Sequence, residues 1–542
     1  NKHIFLYPNR TFFLPLRTFL FKIIKMKKLK LVCVAIAMAC ATPTLAGGLL
    51  TNTNQHVAFN RMMSREASIG IDGVYYNPAG VVFMGEGHHL AINWQLAFQT
   101  RTINNDYALF TNNVNNPITP RDFKGTAFAP VIPSFQYAYN KGKWSFQASF
   151  ALTGGGGKCT FDDGLGSFEK IVAETAIAAC QLAGAVDQVA GAYGVPAIFS
   201  NNQCFGTEGK YSYNSYMHGR QYYYGLSAGA AYKFSDNFSA FLGVRGVYAL
   251  TNYYGYVENI QVGQMPLYKV LNPAKESSAN IELSCDQSGV GFTPIIGVDY
   301  KTGRWNFSAK YEFKTRIRLK NKSVNQIPSI GNLPDNLRNA YIANGVPEAA
   351  ADAILSNPKI QGAMVALKTQ FDSKIDKAIG EYEDGKKIAG DIPAYLALGV
   401  GYRPVDAVRV NVGFHWFDDK NATSYNNRNK ELKRGTLEYN AGVEVDVNKK
   451  ITLSTGWQNT NYGLSDEYMD DKSFVVSSNS VAIGGVYHIN KKMDLNVAYF
   501  HTFYQHKKTT ETVQLTADIS KNYSSDYTRN NNVFAVGLDI NF

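Results

Sequence analysis

From about residue 88 to Phe542 the chain alternates apolar and polar positions with a period of two, the signature of strands with two different faces. Six times such a run meets a few polar residues and a second alternating run follows at once. These turns lie around Lys141-Gly142-Lys143, Ser235-Asp236-Asn237, Thr302-Gly303-Arg304, Val405-Asp406-Ala407, Asn448-Lys449-Lys450 and Asn490-Lys491-Lys492, and each reads as a tight hairpin. The other ends run into longer connections near 104–125, 154–209, 264–276, 321–387, 424–433, 464–473 and 509–528. One strand before the first hairpin and one after the last bring the expected total to about 14, spanning 88–103, 126–140, 143–153, 210–234, 238–263, 277–301, 305–320, 388–404, 408–423, 434–448, 451–463, 474–489, 494–508 and 529–542. An even count, with short turns on one rim and long loops on the other, predicts an all-β fold: a transmembrane antiparallel β-barrel.

Alternation also assigns faces, apolar toward lipid and polar toward the lumen. In the last run Phe534, Val536, Leu538, Ile540 and Phe542 share one face and Ala535, Gly537, Asp539 and Asn541 the other. In the run 305–320, Trp305, Phe307, Ala309, Tyr311 and Phe313 point out, so Asn306, Ser308, Lys310, Glu312, Lys314 and Arg316 point in. The same rule sends Arg245, Arg409 and His415 inward. Arg245, Lys310, Lys314 and Arg316 are therefore candidate substrate-binding cations that could hold a carboxylate; the alternative is that each pairs with an acid such as Glu312. Aromatic residues crowd the turns, as in Tyr137, Tyr139 and Trp144 or Tyr300 and Trp305, where amphipathic rings would meet a headgroup boundary.

Two connections carry a helical period instead. Asn357-Pro358 offers a cap and a first-turn proline, Ile360, Met364, Leu367, Phe371, Ile375 and Ile379 recur at steps of three and four, and Gly380 closes the segment. The other helix is expected from about Ser167 to Val189, so helical inserts fall near 160–200 and 323–385. The third strand runs into Gly154-Gly155-Gly156-Gly157; glycines there permit a bulge, which makes Gly154 and Gly155 a candidate kink, or they start a loop.

Composition narrows the reading. With 45% hydrophobic and 18% charged residues and a mean hydropathy of -0.22, a bundle of membrane helices is excluded. One short apolar stretch follows Met26-Lys27-Lys28-Leu29-Lys30 and ends at Thr42-Pro43-Thr44-Leu45-Ala46, so residues 26–46 read as a signal peptide cleaved after Ala46, and 1–25 as an upstream non-functional extension. That region holds 8 of the 54 Lys and Arg and none of the 43 Asp and Glu, so the exported chain is nearly neutral and a nucleic-acid partner is not indicated. Of six cysteines, Cys33 and Cys40 lie in the signal. The remaining Cys159, Cys180, Cys204 and Cys285 allow three pairings, with a loop-stapling bridge between Cys159 and Cys204 favoured because they bracket the first helical insert. Catalysis is not expected. Gly225-Leu226-Ser227-Ala228-Gly229 has nucleophile-elbow spacing, but the alternation continues through it, and His88-His89 lack companions for a metal. No cofactor is implied.

Between the signal and the first strand, residues 47–87 do not alternate; they pass through Ser64-Arg65-Glu66-Ala67-Ser68 to Asn77-Pro78-Ala79-Gly80. Pro78 fixes its own φ and holds Asn77 in extended or turn geometry, which suits a compact plug without helices. A small-residue run followed by Asn-Pro-Ala just before the first strand resembles the N-terminal hatch of the FadL-type long-chain fatty acid transporters of bacterial outer membranes. The layout agrees across the exported chain: hatch, about 14 strands in 88–542, and a final Phe of the kind read by the barrel assembly machinery.

The resemblance implies uptake of long-chain fatty acids or other hydrophobic molecules, including aromatics, by a monomer in the outer membrane of a Gram-negative bacterium, amid outer-membrane lipids and lipopolysaccharide. Capture would occur at extracellular loops, for which Met364, Leu367 and Phe371 are the candidates. Binding would follow in the barrel, then lateral release beside a kinked third strand. The helical inserts depart from the family in falling after strands three and seven, the first of them one hairpin early. A general diffusion porin and an outer-membrane lipid hydrolase are the competing readings.

Overall fold

The computed structural model describes residues 50–51, 55–330, 332–362, 364–365, 380–515 and 519–542. The expected extension and signal peptide, and the capture residues Leu367 and Phe371, lie outside the described residues. The barrel strands are β1 (Gly87–Tyr107), β2 (Arg121–Lys141), β3 (Trp144–Phe161), β4 (Tyr211–Lys233), β5 (Phe238–Val262) and β6 (Ile281–Thr302). They continue with β7 (Trp305–Glu312 and Arg318–Gln326), β8 (Lys387–Ala389 and Tyr395–Val405), β9 (Val408–Phe417) and β10 (Arg434–Asn448). The last four are β11 (Ile451–Gly463), β12 (Ser478–Asn490), β13 (Met493–Tyr504 and Lys507–Gln514) and β14 (Ser520–Asn541). Each pairs antiparallel with its sequence neighbours, and β1 pairs β14 from His89↔Asn541 to Tyr107↔Tyr523, so the sheet closes as a 14-stranded barrel. Closure leaves no free edge, the condition for strands to live in lipid.

The expected alternation appears as burial. Phe534 and Val536 are exposed while Ala535 is buried, and Trp305, Phe307 and Phe313 are exposed while Asn306, Lys310 and Glu312 are buried. Aromatic rings ring the short-turn rim: Trp144 lies 4.7 Å from Tyr232, Trp305 4.2 Å from Tyr402, and His88 5.4 Å from Phe542. Phe542 is also tied through its backbone, its N–H donating to His88 O at 2.9 Å and its carbonyl accepting from His88 N at 2.7 Å.

One expected face is corrected. β7 breaks between Glu312 and Arg318, and beyond the break Thr315, Ile317 and Leu319 are the buried set. A register step of one residue sends every later side chain to the opposite face. Arg316 therefore points out of the barrel with Arg318, Lys320 and Lys322, all exposed. Lys314 sits within the break and donates to Asn421 O at 3.1 Å.

The hatch lies inside the barrel as two short helices, α1 (Val57–Met62) and α2 (Gly73–Tyr76), followed by a 3₁₀ turn at Gly80–Phe83. This corrects the helix-free plug: His56 caps α1 by accepting from Ala58 N at 2.9 Å, and Pro78 falls between helical turns. Over the long-loop rim sits a helical cap of α3 (Gly166–Gly191), α4 (Leu333–Ala343) and α5 (Glu348–Leu355). Its core joins Phe168, Ile171, Val186, Phe199, Leu337 and Met364. Described helices thus follow β3 and β7, whereas most of the helix expected between Pro358 and Gly380 lies outside the described residues.

The hatch approaches the barrel wall so closely that side chains are excluded there. A Cβ at Gly456 or at Gly442 would overlap the Met62 carbonyl oxygen. Gly456→Leu is expected to unseat α1 while leaving an intact barrel. Liposome swelling with small sugars should rise severalfold over the parent, while the heat-modifiable gel shift of a folded barrel is retained; unchanged swelling would contradict this seating.

Candidate functional site

The lumen is divided by charge pairs that fasten the hatch. Arg61 is bound to Glu444, Arg65 forks onto Asp72 at 2.7 and 3.0 Å and reaches Glu444 at 3.3 Å, and His415 bridges Glu66 at 2.7 Å and Glu438 at 2.8 Å. Arg409, also inward, is held by Asp446 at 2.6 and 2.7 Å. Buried ions persist only when paired in this way.

The Asn77-Pro78-Ala79-Gly80 motif fastens the hatch to three strands. Asn77 Nδ2 donates to Asp299 Oδ2 of β6 at 2.6 Å, and its Oδ1 accepts from Gly80 N at 3.2 Å. Pro78 O accepts from Gln147 of β3 at 2.7 Å and Ala79 O from Ser239 of β5 at 2.7 Å. A Cβ at Gly80 would crowd the Asn77 amide and Asp299.

Of the four cations expected to meet substrate, none faces an open cavity. Arg245 forks onto Glu312 at 2.6 and 2.9 Å; Lys310 donates to Glu312 at 3.0 Å and to Tyr75 O of the hatch at 2.7 Å. Both also lie against the Tyr75 ring. Lys314 and Arg316 are displaced by the β7 break described above.

Above the hatch lies a cavity of about 230 Å³. Thr51 forms part of its floor, Phe161, Met217, Tyr253 and Phe500 part of its wall, and Phe474 and Val475 descend from the 464–477 loop. Three cations line it, of which Lys472 is paired with Asp470 at 3.6 Å. Arg101 of β1 and Arg529 of β14 are register partners; Arg101 Nε donates to Gln99 Oε1 at 3.2 Å, and Arg529 lies over the Tyr504 ring at 5.0 Å with its Nε buried and unpartnered. Among the described residues neither has a carboxylate within ion-pair distance. Sequence reading missed both, although each falls in an expected strand; their distinction is the lack of an acid, which alternation does not reveal.

The same cavity is walled by a fault in the sheet. β2 and β3 pair from Ser134↔Ala151 to Lys141↔Trp144 and again from Gly125↔Phe161 to Ala127↔Cys159, but not between. Pro130 and Pro133 bring no N–H to the unpaired part of β2, and β2 is also bulged against β1 between Ile132 and Ala129. On the other side β3 bulges twice against β4, at Leu152/Gly154 and at Gly155/Gly157. Gly155 (φ +80°) and Gly157 (φ +110°) take conformations that other residues avoid. The glycine run is thus a kink inside a strand. Ala129, Ile132, Leu152, Gly155 and Gly157 line both fault and cavity. Two carbonyls of the fault find side chains instead of a strand: Trp94 Nε1 donates to Pro130 O at 2.9 Å, and Gln55 Nε2 of the hatch to Leu152 O at 3.0 Å.

The cap carries a smaller apolar pocket, about 60 Å³, among Leu182, Val186, Phe199, Leu267, Val270 and Leu337. Met364, expected to face substrate, is buried in the cap core. The expected Cys159–Cys204 bridge is not formed: Cys159 lines the barrel cavity, Cys204 is buried in the cap, and both are free. Ser227 lies within unbroken β4 and accepts from Arg245 Nε at 3.1 Å, so the elbow-like spacing has no elbow.

These features define a plugged barrel with an internal pocket bordered by the unpaired stretch of β2 and β3. No family profile and no curated protein matches the sequence. Among solved structures, a FadL homologue from Pseudomonas aeruginosa is similar at 14% identity with a TM-score of 0.57, covering 92% of this chain and 100% of that one. The toluene transporters TodX of P. putida (12%, TM-score 0.46) and TbuX of Ralstonia pickettii (13%, 0.44) align over 87% of this chain and 94% of theirs. The fold of this chain is that of the FadL-type barrels.

Asn77→Ala removes one of the two amides that hold the buried Asp299 carboxylate, the other being Asn306 at 2.8 Å. The expected cost is about 1–3 kcal/mol. It should appear as a lower thermal midpoint and faster protease cleavage within the hatch. Asn77→Asp, which sets two carboxylates face to face, should be worse.

Proposed function

We propose that the protein is an outer-membrane channel that takes up hydrophobic molecules with an acidic head and releases them sideways into the membrane. The carrying observation is the loss of β2–β3 pairing at a cavity above the hatch. The long-loop rim faces the outside and the short turns the periplasm, the usual asymmetry of such barrels. The apolar cap pocket is the first collecting surface, and the cavity is the second.

A lateral exit suits the chemistry. Each methylene of an alkyl chain costs roughly 0.8 kcal/mol to expose to water, so a route from pocket to lipid avoids the watery mouth below. Arg101 and Arg529 supply the positive field that a carboxylate would meet, while Phe161, Met217 and Phe500 take the chain. That composition favours fatty acids over neutral aromatics. A diffusion porin is disfavoured because the hatch occupies the lumen, fastened by the pairs described above. Gln55 joins hatch to fault, accepting from Gln136 Nε2 at 2.6 Å while donating to Leu152 O, so movement of the hatch would release one edge of the opening.

Two variants test the route. Gly155→Val places a Cβ onto the Gln221 carbonyl at a positive φ, so β3 must lose its kink or its pairing with β4. Uptake of a radiolabelled long-chain fatty acid by cells should fall at least tenfold, with surface expression unchanged. Uptake equal to the parent would dismiss lateral release. Replacing Arg101 and Arg529 together by Gln should weaken binding of the fatty acid about tenfold or more and leave binding of its methyl ester nearly unchanged, measured by titration in detergent. Equal losses for acid and ester would remove the carboxylate from the account.

A further inference from the structure

The break in β7 turns a run of cations to the outside. Along the outward face of β7 the order is Trp305, Phe307, Ala309, Tyr311, Phe313, then Arg316, Arg318, Lys320 and Lys322. The apolar part, from Trp305 to Phe313, has the length of a transmembrane β-strand, about 9–11 residues. Tyr311 and Phe313, in edge contact at 4.9 Å, have the character of an upper aromatic girdle. On β6 the outward apolar set reaches past Phe313, with exposed Phe292 and Val290 beside Arg316 and Arg318, and gives way to Ser288, opposite Lys320, and Asp286, opposite Lys322, so the two arginines lie at the apolar edge and the lysines above it.

A fifth cation joins from β8, where exposed Lys387 pairs directly opposite Lys320. Arg318 is held by Asp391 at 3.0 Å. Among the described residues, Arg316, Lys320, Lys322 and Lys387 have no carboxylate within ion-pair distance. Asp286 is occupied by Asn252 Nδ2 at 2.8 Å and Asp384 by Ser323 N at 2.8 Å. Like charges set side by side on adjacent strands repel, so such an arrangement calls for a counter-anion. Outward cations also face one another at Lys158 of β3 and Arg220 of β4, but as a pair rather than as the run gathered on β7 and β8.

The geometry points to a binding site for the phosphate groups of a phosphorylated glycolipid of the outer leaflet, on the outer wall of β7 and β8 at headgroup height. Arg316 at the girdle would meet the phosphate nearest the acyl chains, and Lys320, Lys322 and Lys387 those above it. Arg forks onto phosphate oxygens and Lys approaches as a point charge, so the four can share several phosphates without one fixed pose. The site is separate from the internal cavity. It rests on the outer-membrane reading, which fractionation of cells tests independently.

The test uses the purified full chain in detergent, with lipopolysaccharide bearing a phosphorylated lipid A as probe, the same lipid after dephosphorylation, and inorganic phosphate as competitor. The variant carries Arg316→Gln, Lys320→Gln, Lys322→Gln and Lys387→Gln; all four side chains are exposed, and the heat-modifiable gel shift confirms folding. The parent should bind the phosphorylated lipid with an affinity that falls as salt is raised. The variant should bind at least tenfold more weakly, and the dephosphorylated lipid should bind both proteins weakly. Equal binding by parent and variant, or equal binding of the two lipids to the parent, overturns the proposal. Displacement by millimolar inorganic phosphate marks a plain anion site and overturns the glycolipid assignment.

Discussion

In hydrocarbon a backbone N–H or C=O without a partner costs several kcal/mol, and every other feature of this protein is arranged around that demand. Closing β1 onto β14 meets it around the circumference. Between β2 and β3 the ladder lapses over a stretch whose residues favour the lapse. Prolines subtract donors, bulges move the backbone, and Trp94 and the hatch residue Gln55 take two of the carbonyls. A gap assembled from ordinary strand residues would close on itself by pairing. This stretch has little to pair with, which is the property the proposed lateral exit needs.

The interior obeys a second economy. Most inward charges are committed to the hatch, and their commitment makes Arg101 and Arg529 stand out. Lys310 and Arg245 share Glu312; Arg61, Arg65 and Arg409 share Glu444. The plug is secured by these ion pairs together with small separate apolar clusters, such as Phe59 and Tyr76 against Phe500 and Val533, so it can shift only if a displaced charge finds a new partner. The proposed uptake needs such a plug, firm at rest and able to move.

Much of the fold was legible because alternation is imposed by geometry. Hairpins at Lys141–Lys143 or Lys449–Lys450 and the faces of β14 follow from the period of two alone. The boundaries that failed did so for local reasons. β3 continues through four glycines because bulges let it, and β14 begins at Ser520 in a polar stretch that stands clear of lipid and has no need to alternate. The site was harder. Sequence leaves Arg245 between a ligand cation and a partner of an acid such as Glu312, and the choice needed the structure, which brings the two together across 67 residues. Arg316 was assigned to the wrong face by a two-part strand whose interruption leaves no mark in composition. Asn77 could be placed in the hatch by its company, yet its grip on Asp299, 222 residues on, needed the structure.

The seam between β1 and β14 joins residues such as His89 and Asn541, 452 positions apart. Such a contact gains nothing until the intervening chain has been gathered, which makes it among the slowest to form and leaves two long unsatisfied strands adhesive until it does. The stability of the finished cylinder thus has a kinetic counterpart. Substitutions along the seam would show themselves first as aggregated chain, well before any loss of strength in molecules that had managed to close.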